Sequence, residues 1–222
     1  MNSRTRIKVC GLTRAQDVDA AVAAGVDAIG LVFYPRSRRL VSIEQARALR
    51  QRVPAFVCVT ALFVDAAAND VQAVLNEVGP DLLQFHGAES AAFCNQFGVR
   101  YLKAFRVGAP GQDTAPTLAA RCLEYPQAAG WLFDSYSSGY GGSGQRFDLS
   151  LLTQVPREPD RPAVVLSGGL TAESVGSAVA VCRPFGVDVS SGVESGPGLK
   201  DGARIFAFVH AVALADDRRT LK

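Results

Sequence analysis

Eight short apolar or β-branched runs recur along this chain at intervals of about 20 to 30 residues, with stretches of helical spacing between them. The runs are Ile7–Cys10, Ala28–Phe33, Phe56–Val64, Leu82–Phe85, Val99–Phe105, Trp131–Phe133, Ala163–Leu166 and Val187–Ser190. Helical spacing marks residues 14–24, 43–50, 71–78, 91–97, 172–181 and 202–214. Thr13, Ser42 and Thr171 stand where N-caps belong, and Gly25, Gly79 and Gly98 where a helix would end in a left-handed residue. Two helix ends read alike, Gly25-Val26-Asp27 and Gly79-Pro80-Asp81, each leading into a strand. Such alternation predicts parallel strands joined by right-handed crossovers, and eight strands favour closure. The expected fold class is α/β, a single (β/α)8 TIM barrel over residues 1–222, with an open doubly wound sheet as the alternative.

A chain of 222 residues, 48% apolar and 20% charged, can bury a large core. Its formal net charge of +2 is too small and too evenly spread to indicate a nucleic-acid or membrane partner; the basic tail Arg218, Arg219 and Lys222 reads as a solvated end. No run approaches the roughly 18 apolar residues of a membrane span, and no signal-like apolar stretch follows the first basic residues, so a cytoplasmic protein is expected, as a monomer or homodimer. Five cysteines, at 10, 58, 94, 122 and 182, show no ligand spacing and cannot all pair; reduced thiols and no metal site are expected.

In a barrel the chemistry sits on the connections that follow the strands. The first strand ends in Lys8-Val9-Cys10-Gly11-Leu12-Thr13, placing a thiol at the expected mouth. Position alone leaves two readings, a small buried hydrophobe or a proton-transfer group. The second is followed by Tyr34-Pro35-Arg36-Ser37-Arg38-Arg39, either a solvated basic loop or a grip for an anion. The fourth ends in Gln84-Phe85-His86-Gly87 and the sixth in Phe133-Asp134-Ser135, where the aspartate is a turn residue or an acid. Residues 139–144, Gly-Tyr-Gly-Gly-Ser-Gly, form a loop able to close over a ligand. Ser167-Gly168-Gly169 and Ser190-Ser191-Gly192 occupy the connections after strands seven and eight, which in barrels often bind phosphate through free backbone amides. A phosphorylated small molecule is the expected partner.

Taken together, these segments resemble the phosphoribosylanthranilate isomerase family of tryptophan biosynthesis. The likeness spans almost the whole chain: Lys8 to Thr13, Gly30 to Pro35, Gln84 to Gly87, Gly141 to Gly144 with Phe147-Asp148, Ser167 to Leu170, and Val187 to Glu194. Phe85 and Phe133 depart from the aliphatic residues common at those places. The resemblance implies an Amadori rearrangement of N-(5-phosphoribosyl)anthranilate to 1-(2-carboxyphenylamino)-1-deoxyribulose 5-phosphate, with no cofactor. It makes Asp134 the general acid on the ring oxygen and Cys10 the general base at C2. It further implies Arg39 on the anthranilate carboxylate, Asp188 on the ribose hydroxyls, and Gly144, Gly168, Gly169, Ser190, Ser191 and Gly192 around the phosphate; His86 lies on a family motif without a definite role. Asp134 would then carry a raised pKa and Cys10 surroundings that favour its thiolate.

Two rivals stand beside this reading. The histidine-pathway isomerase performs the same rearrangement on a related barrel, but carries an acid where this chain has Cys10. A catalytically silent phosphate-binding barrel would need neither Cys10 nor Asp134.

Overall fold

The computed structural model describes residues 4–136 and 146–220. The eight expected strands are present as β1 (Arg6–Cys10), β2 (Ala28–Val32), β3 (Cys58–Phe63), β4 (Leu82–Phe85), β5 (Tyr101–Val107), β6 (Gly130–Ser135), β7 (Ala163–Leu166) and β8 (Gly186–Val189). Each pairs in parallel with the next, and β1 pairs with β8 through Arg6↔Gly186, Ile7↔Val187, Lys8↔Asp188 and Val9↔Val189. That last ladder closes the sheet into a (β/α)8 barrel and removes the open-sheet alternative.

Among the described residues seven helices lie outside: α1 (Ala15–Ala23), α2 (Ile43–Arg50), α3 (Ala68–Val78), α4 (Ala91–Asn95), α5 (Ala115–Leu123), α6 (Ala172–Cys182) and α7 (Gly202–Thr220). Between β6 and β7 the described residues hold only a single 3-10 turn, Leu149–Leu152. After β8 a 3-10 turn, Ser191–Val193, leads into a small antiparallel pair, β9 (Glu194–Gly196) and β10 (Leu199–Lys200).

Helix boundaries follow local chemistry. Ser42 caps α2 by accepting the Gln45 N–H, and Ser174 Oγ accepts the Thr171 N–H at the start of α6. Thr13 does not cap α1: its hydroxyl donates to the Gly198 carbonyl, and Arg14 is the N-cap residue. Gly25, Gly79 and Gly98 are left-handed as their positions require. α5 lies outside the stretches that helical spacing marks in the sequence; a Thr114–Thr117 capping box with Pro116 in the first turn defines its start.

Period-two alternation sorts the strand residues. Val9, Ile29, Val59, Leu83, Trp131, Val164 and Val187 face outward into the helix layer, while Leu102, Ala104, Leu132 and Val165 fill the barrel floor. The two aromatic departures belong to the outer layer: Phe85 packs against Phe93, Phe97 and Tyr101 with ring centroids 5.8–5.9 Å apart, and Phe133 stacks on Phe105 at 5.7 Å.

The repeated Gly-x-Asp segments share one task. Asp27, entering β2, accepts the Ile7 N–H of β1 at 2.9 Å, and Asp81, entering β4, accepts the Val59 N–H of β3 at 2.7 Å. Each carboxylate also takes an arginine, Arg4 and Arg50 respectively. Asp27→Ala therefore leaves a strand N–H without its acceptor and should cost about 1–3 kcal/mol, read as a lowered midpoint of urea unfolding with unchanged slope.

Candidate active site

Alternation brings the inner-face residues of four strands together at the C-terminal mouth. On β1 these are Lys8 and Cys10, on β4 Gln84 with His86 just beyond, on β6 Asp134, and on β8 Asp188 with Ser190 beyond. A cavity opens there. Of the expected site residues, Cys10, Asp134, Arg39, His86, Asp188, Gly168, Gly169, Ser190, Ser191 and Gly192 all line it; Gly144 lies outside the described residues. Val32, Leu62 and Val64 supply an apolar wall.

Lys8 and Asp188 form a buried ion pair, Nζ to Oδ1 2.8 Å, with both side chains 6% exposed. Ser167 Oγ donates to the Asp188 carbonyl at 3.2 Å. β2 passes this cluster at Gly30, where an added Cβ would lie 2.6 Å from Cys10 Sγ and 3.1 Å from Lys8 Nζ, so only glycine leaves room for both groups. Burial alone would lower the Lys8 ammonium; the Asp188 carboxylate and the Cys10 sulfur outweigh it and hold the group above the ordinary lysine range. Burial pushes the Cys10 thiol up, Lys8 pulls it down, and Asp188 adds to the rise. The net direction is upward, which corrects the expectation of surroundings that favour the thiolate: in the resting barrel desolvation wins.

Across the mouth His86 and Asp134 face one another, Nε2 to Oδ2 3.2 Å, and Gln84 Nε2 lies 3.2 Å from His86 Nδ1. Asp134 Oδ1 accepts the Ser135 N–H at 2.9 Å. The loop carrying His86 is held from behind by Glu89, which accepts the Gly87 and Asp65 N–H groups and pairs with Lys103 at 2.9 Å; Lys103 also donates to the Gly87 carbonyl at 2.6 Å.

The connections after β7 and β8 meet on the opposite side. Gly168 has φ +83°, and a Cβ there would sit 2.6 Å from the Ser135 nitrogen, so the chain can approach β6 only without a side chain. Among the described residues, the N–H groups of Gly168, Gly169 and Gly192 donate to no backbone carbonyl, leaving them for an anion near the N-terminus of α6.

Arg39 reaches the mouth from the β2 connection and donates Nε and Nη2 to the two Glu194 oxygens, each at 2.7 Å. Lys200 Nζ donates to Glu194 Oε1 at 2.8 Å and to the Ser190 carbonyl at 3.0 Å. No group of three or more His, Cys, Asp or Glu side chains suited to a metal is found among the described residues, and none of their helices is long and apolar enough to cross a membrane.

Sequence reasoning missed roles for Lys8, Glu89, Lys103, Ser167, Glu194 and Lys200. A signal for three of them was available: only four of the 23 Lys and Arg residues are lysine, namely Lys8, Lys103, Lys200 and Lys222, and the first three are buried here. In a chain that otherwise uses arginine, a compact ammonium marks a confined place. The raised thiol gives a direct expectation. Iodoacetamide labelling of Cys10, followed on its own peptide by mass spectrometry, should reach half-maximal rate at a pH above about 8.5. Lys8→Met should move that midpoint higher still, and a midpoint below the ordinary thiol value would contradict the burial argument.

The model of the family described as "PRAI: N-(5'phosphoribosyl)anthranilate (PRA) isomerase" matches residues 7–211. A protein of Bordetella petrii named N-(5'-phosphoribosyl)anthranilate isomerase is 60% identical over 215 residues, covering 97% of this chain and 98% of that one. Its namesake in Pseudomonas fluorescens is 49% identical over 213 residues, covering 96% and 97%. The crystal structure of phosphoribosyl anthranilate isomerase from Thermotoga maritima superposes with a TM-score of 0.84 at 37% identity, covering 94% of this chain and 98% of that one. A second structure of the same name, in complex with reduced 1-(o-carboxyphenylamino)-1-deoxyribulose 5-phosphate, gives 0.81 at 35%, with the same coverage. With the barrel, its mouth and nearly the full length in agreement, the chain belongs to the N-(5'-phosphoribosyl)anthranilate isomerase family.

Proposed function

We propose that this barrel converts N-(5-phosphoribosyl)anthranilate into 1-(2-carboxyphenylamino)-1-deoxyribulose 5-phosphate, with Asp134 as general acid and Cys10 as general base. The observation that carries the assignment is the shared cavity: a thiol from β1 and a carboxyl from β6 face the same space as two glycine connections with unused amides.

Asp134 gives a proton to the furanose ring oxygen as the bond from that oxygen to C1 breaks, and the nitrogen lone pair forms the iminium. His86 Nε2 stands 3.2 Å from Asp134 Oδ2 and holds the carboxyl in place; the proton transferred is the one Asp134 itself carries into the step. Cys10 Sγ then takes the proton from C2, and the electrons of that bond flow into the iminium to give the enolamine. Protonation at C1 with loss of the C2 hydroxyl proton completes the ketone. Because the iminium is itself the electron sink, the step balances without a redox partner. Lys8 stands beside Sγ as the cation opposite the thiolate that forms.

Binding groups surround this pair. Gly168, Gly169, Ser190, Ser191 and Gly192 offer backbone amides to the phosphate, with Gly144 assigned to the same task from outside the described residues. Asp188 keeps Oδ1 on Lys8, and Oδ2, which lies 3.4 Å from Ser167 Oγ, is the oxygen for the ribose hydroxyls. Arg39 takes the anthranilate carboxylate.

Fluorescence-monitored turnover of freshly generated phosphoribosylanthranilate tests the assignment. Cys10→Ala and Asp134→Ala should each lower kcat by about 10²-fold or more, the scale of a lost acid or base. Full activity in either variant would remove its role, and no turnover by the parent would leave a binding barrel only.

A further inference from the structure

The proposed substrate carries its carboxylate on a flat ring, and Arg39 must meet it with a defined edge. A guanidinium has two usable bidentate edges, the side-on edge of Nε with Nη2 and the end-on edge of Nη1 with Nη2. Glu194 occupies the side-on edge at 2.7 Å to each nitrogen. The stem is confined as well. A Cβ on Gly11 would collide with Arg39 Cδ, and a Cβ on Gly198 would lie 3.0 Å from the Arg38 carbonyl and 4.0 Å from Arg39 Cγ. Arg39 thus lies between two glycines, with its head pinned and its side chain 15% exposed.

Glu194 and Lys200 do not line the cavity; they stand behind Arg39, with 5% and 0% of their side chains exposed. Lys200 Nζ joins Glu194 Oε1 to the Ser190 carbonyl and hydroxyl, at 2.8, 3.0 and 3.2 Å. We infer that Glu194 is a positioning residue that fixes Arg39 with its end-on edge toward the substrate carboxylate, and that Lys200 ties this clamp to the phosphate-binding connection after β8. The inference rests on the function proposed above. It explains why a carboxylate is buried beside the group meant to bind a carboxylate. Burial by itself would raise Glu194, but Arg39 and Lys200 hold it below the ordinary range, so it stays charged and keeps its grip.

Charge and positioning predict opposite outcomes when Glu194 is neutralised. Removing a negative charge beside Arg39 would tighten binding of a carboxylate, whereas freeing the guanidinium to turn would weaken it. The experiment is calorimetric titration of the parent and Glu194→Gln with two ligands: reduced 1-(o-carboxyphenylamino)-1-deoxyribulose 5-phosphate and its counterpart lacking the ring carboxylate. Glu194→Gln should lose about tenfold for the first, the equivalent of one charge-assisted contact, and less than about twofold for the second. In turnover the same variant should raise KM with little change in kcat. Glu194→Asp, which keeps the charge on a shorter arm, should show a smaller selective loss and serves if the glutamine variant does not fold. Equal losses for both ligands, or unchanged or tighter binding of the carboxylated one, would overturn the inference. Parent enzyme that turns over phosphoribosylanthranilate while the loss is unselective sinks this inference alone; parent enzyme without turnover sinks the function on which it rests.

Discussion

The site is built from the seam where β1 closes on β8. Lys8 and Asp188 are register partners across that seam, and their side chains form a buried ion pair of 2.8 Å. Strand side chains alternate, so a slip of one residue would bring Ile7 or Val9 opposite Asp188 and turn Lys8 and Cys10 out into the helix layer. Two charges would then be buried without partners, at a cost of several kcal/mol each. An apolar pair would close the barrel as firmly but with less discrimination between registers. The same pairing sets the site, because Cys10 and Ser190 each lie two residues beyond a member of the pair, on the same inner face.

That economy recurs at the other two buried lysines. Lys103 on β5 meets Glu89 from the connection after β4, and Lys200 on β10 meets Glu194 at the start of β9. Each pair lies behind a residue that faces the cavity: His86 in front of Lys103 and Glu89, Arg39 in front of Lys200 and Glu194. Other arginine pairs lie on the exterior. Arg52 with Asp19 is half-exposed, and water screens it. Asp27 and Asp81 matter more because their carboxylates also receive a strand N–H.

Most of the fold was legible in the sequence because alternation of strand and helix is a local pattern. The ends of β4 and β7 and the whole of α2 fall where apolar spacing places them. α5 was not read from apolar spacing; its start is written in a capping box, Thr114 with Thr117. The position of Cys10, Asp134, Arg39 and the two glycine connections was legible from strand ends, and their roles came from the family likeness. What sequence could not supply was pairing across distance. Arg39 and Glu194 are 155 residues apart and Lys8 and Asp188 are 180 apart, and no local rule joins them. The direction of the Cys10 shift was hidden for a similar reason: it depends on how completely the barrel excludes water around the thiol, a property of the assembled mouth.

A thiol held in its protonated form is compatible with a base that acts second. Before the ring opens, no group on the proposed substrate calls for a thiolate, and an ionised sulfur in a dry site would be costly. Protonation of the ring oxygen changes the local charge, since the iminium that follows is a cation one bond from C2. In the proposed mechanism that charge joins the Lys8 ammonium already beside Sγ, and two cations favour the thiolate once the thiol has given its own proton to water. In the proposed mechanism the acid step thus activates the base step: Asp134 acts before the iminium exists, Cys10 after it has formed. Desolvation of Cys10 keeps the thiol quiet toward other electrophiles until the substrate itself supplies the missing positive charge.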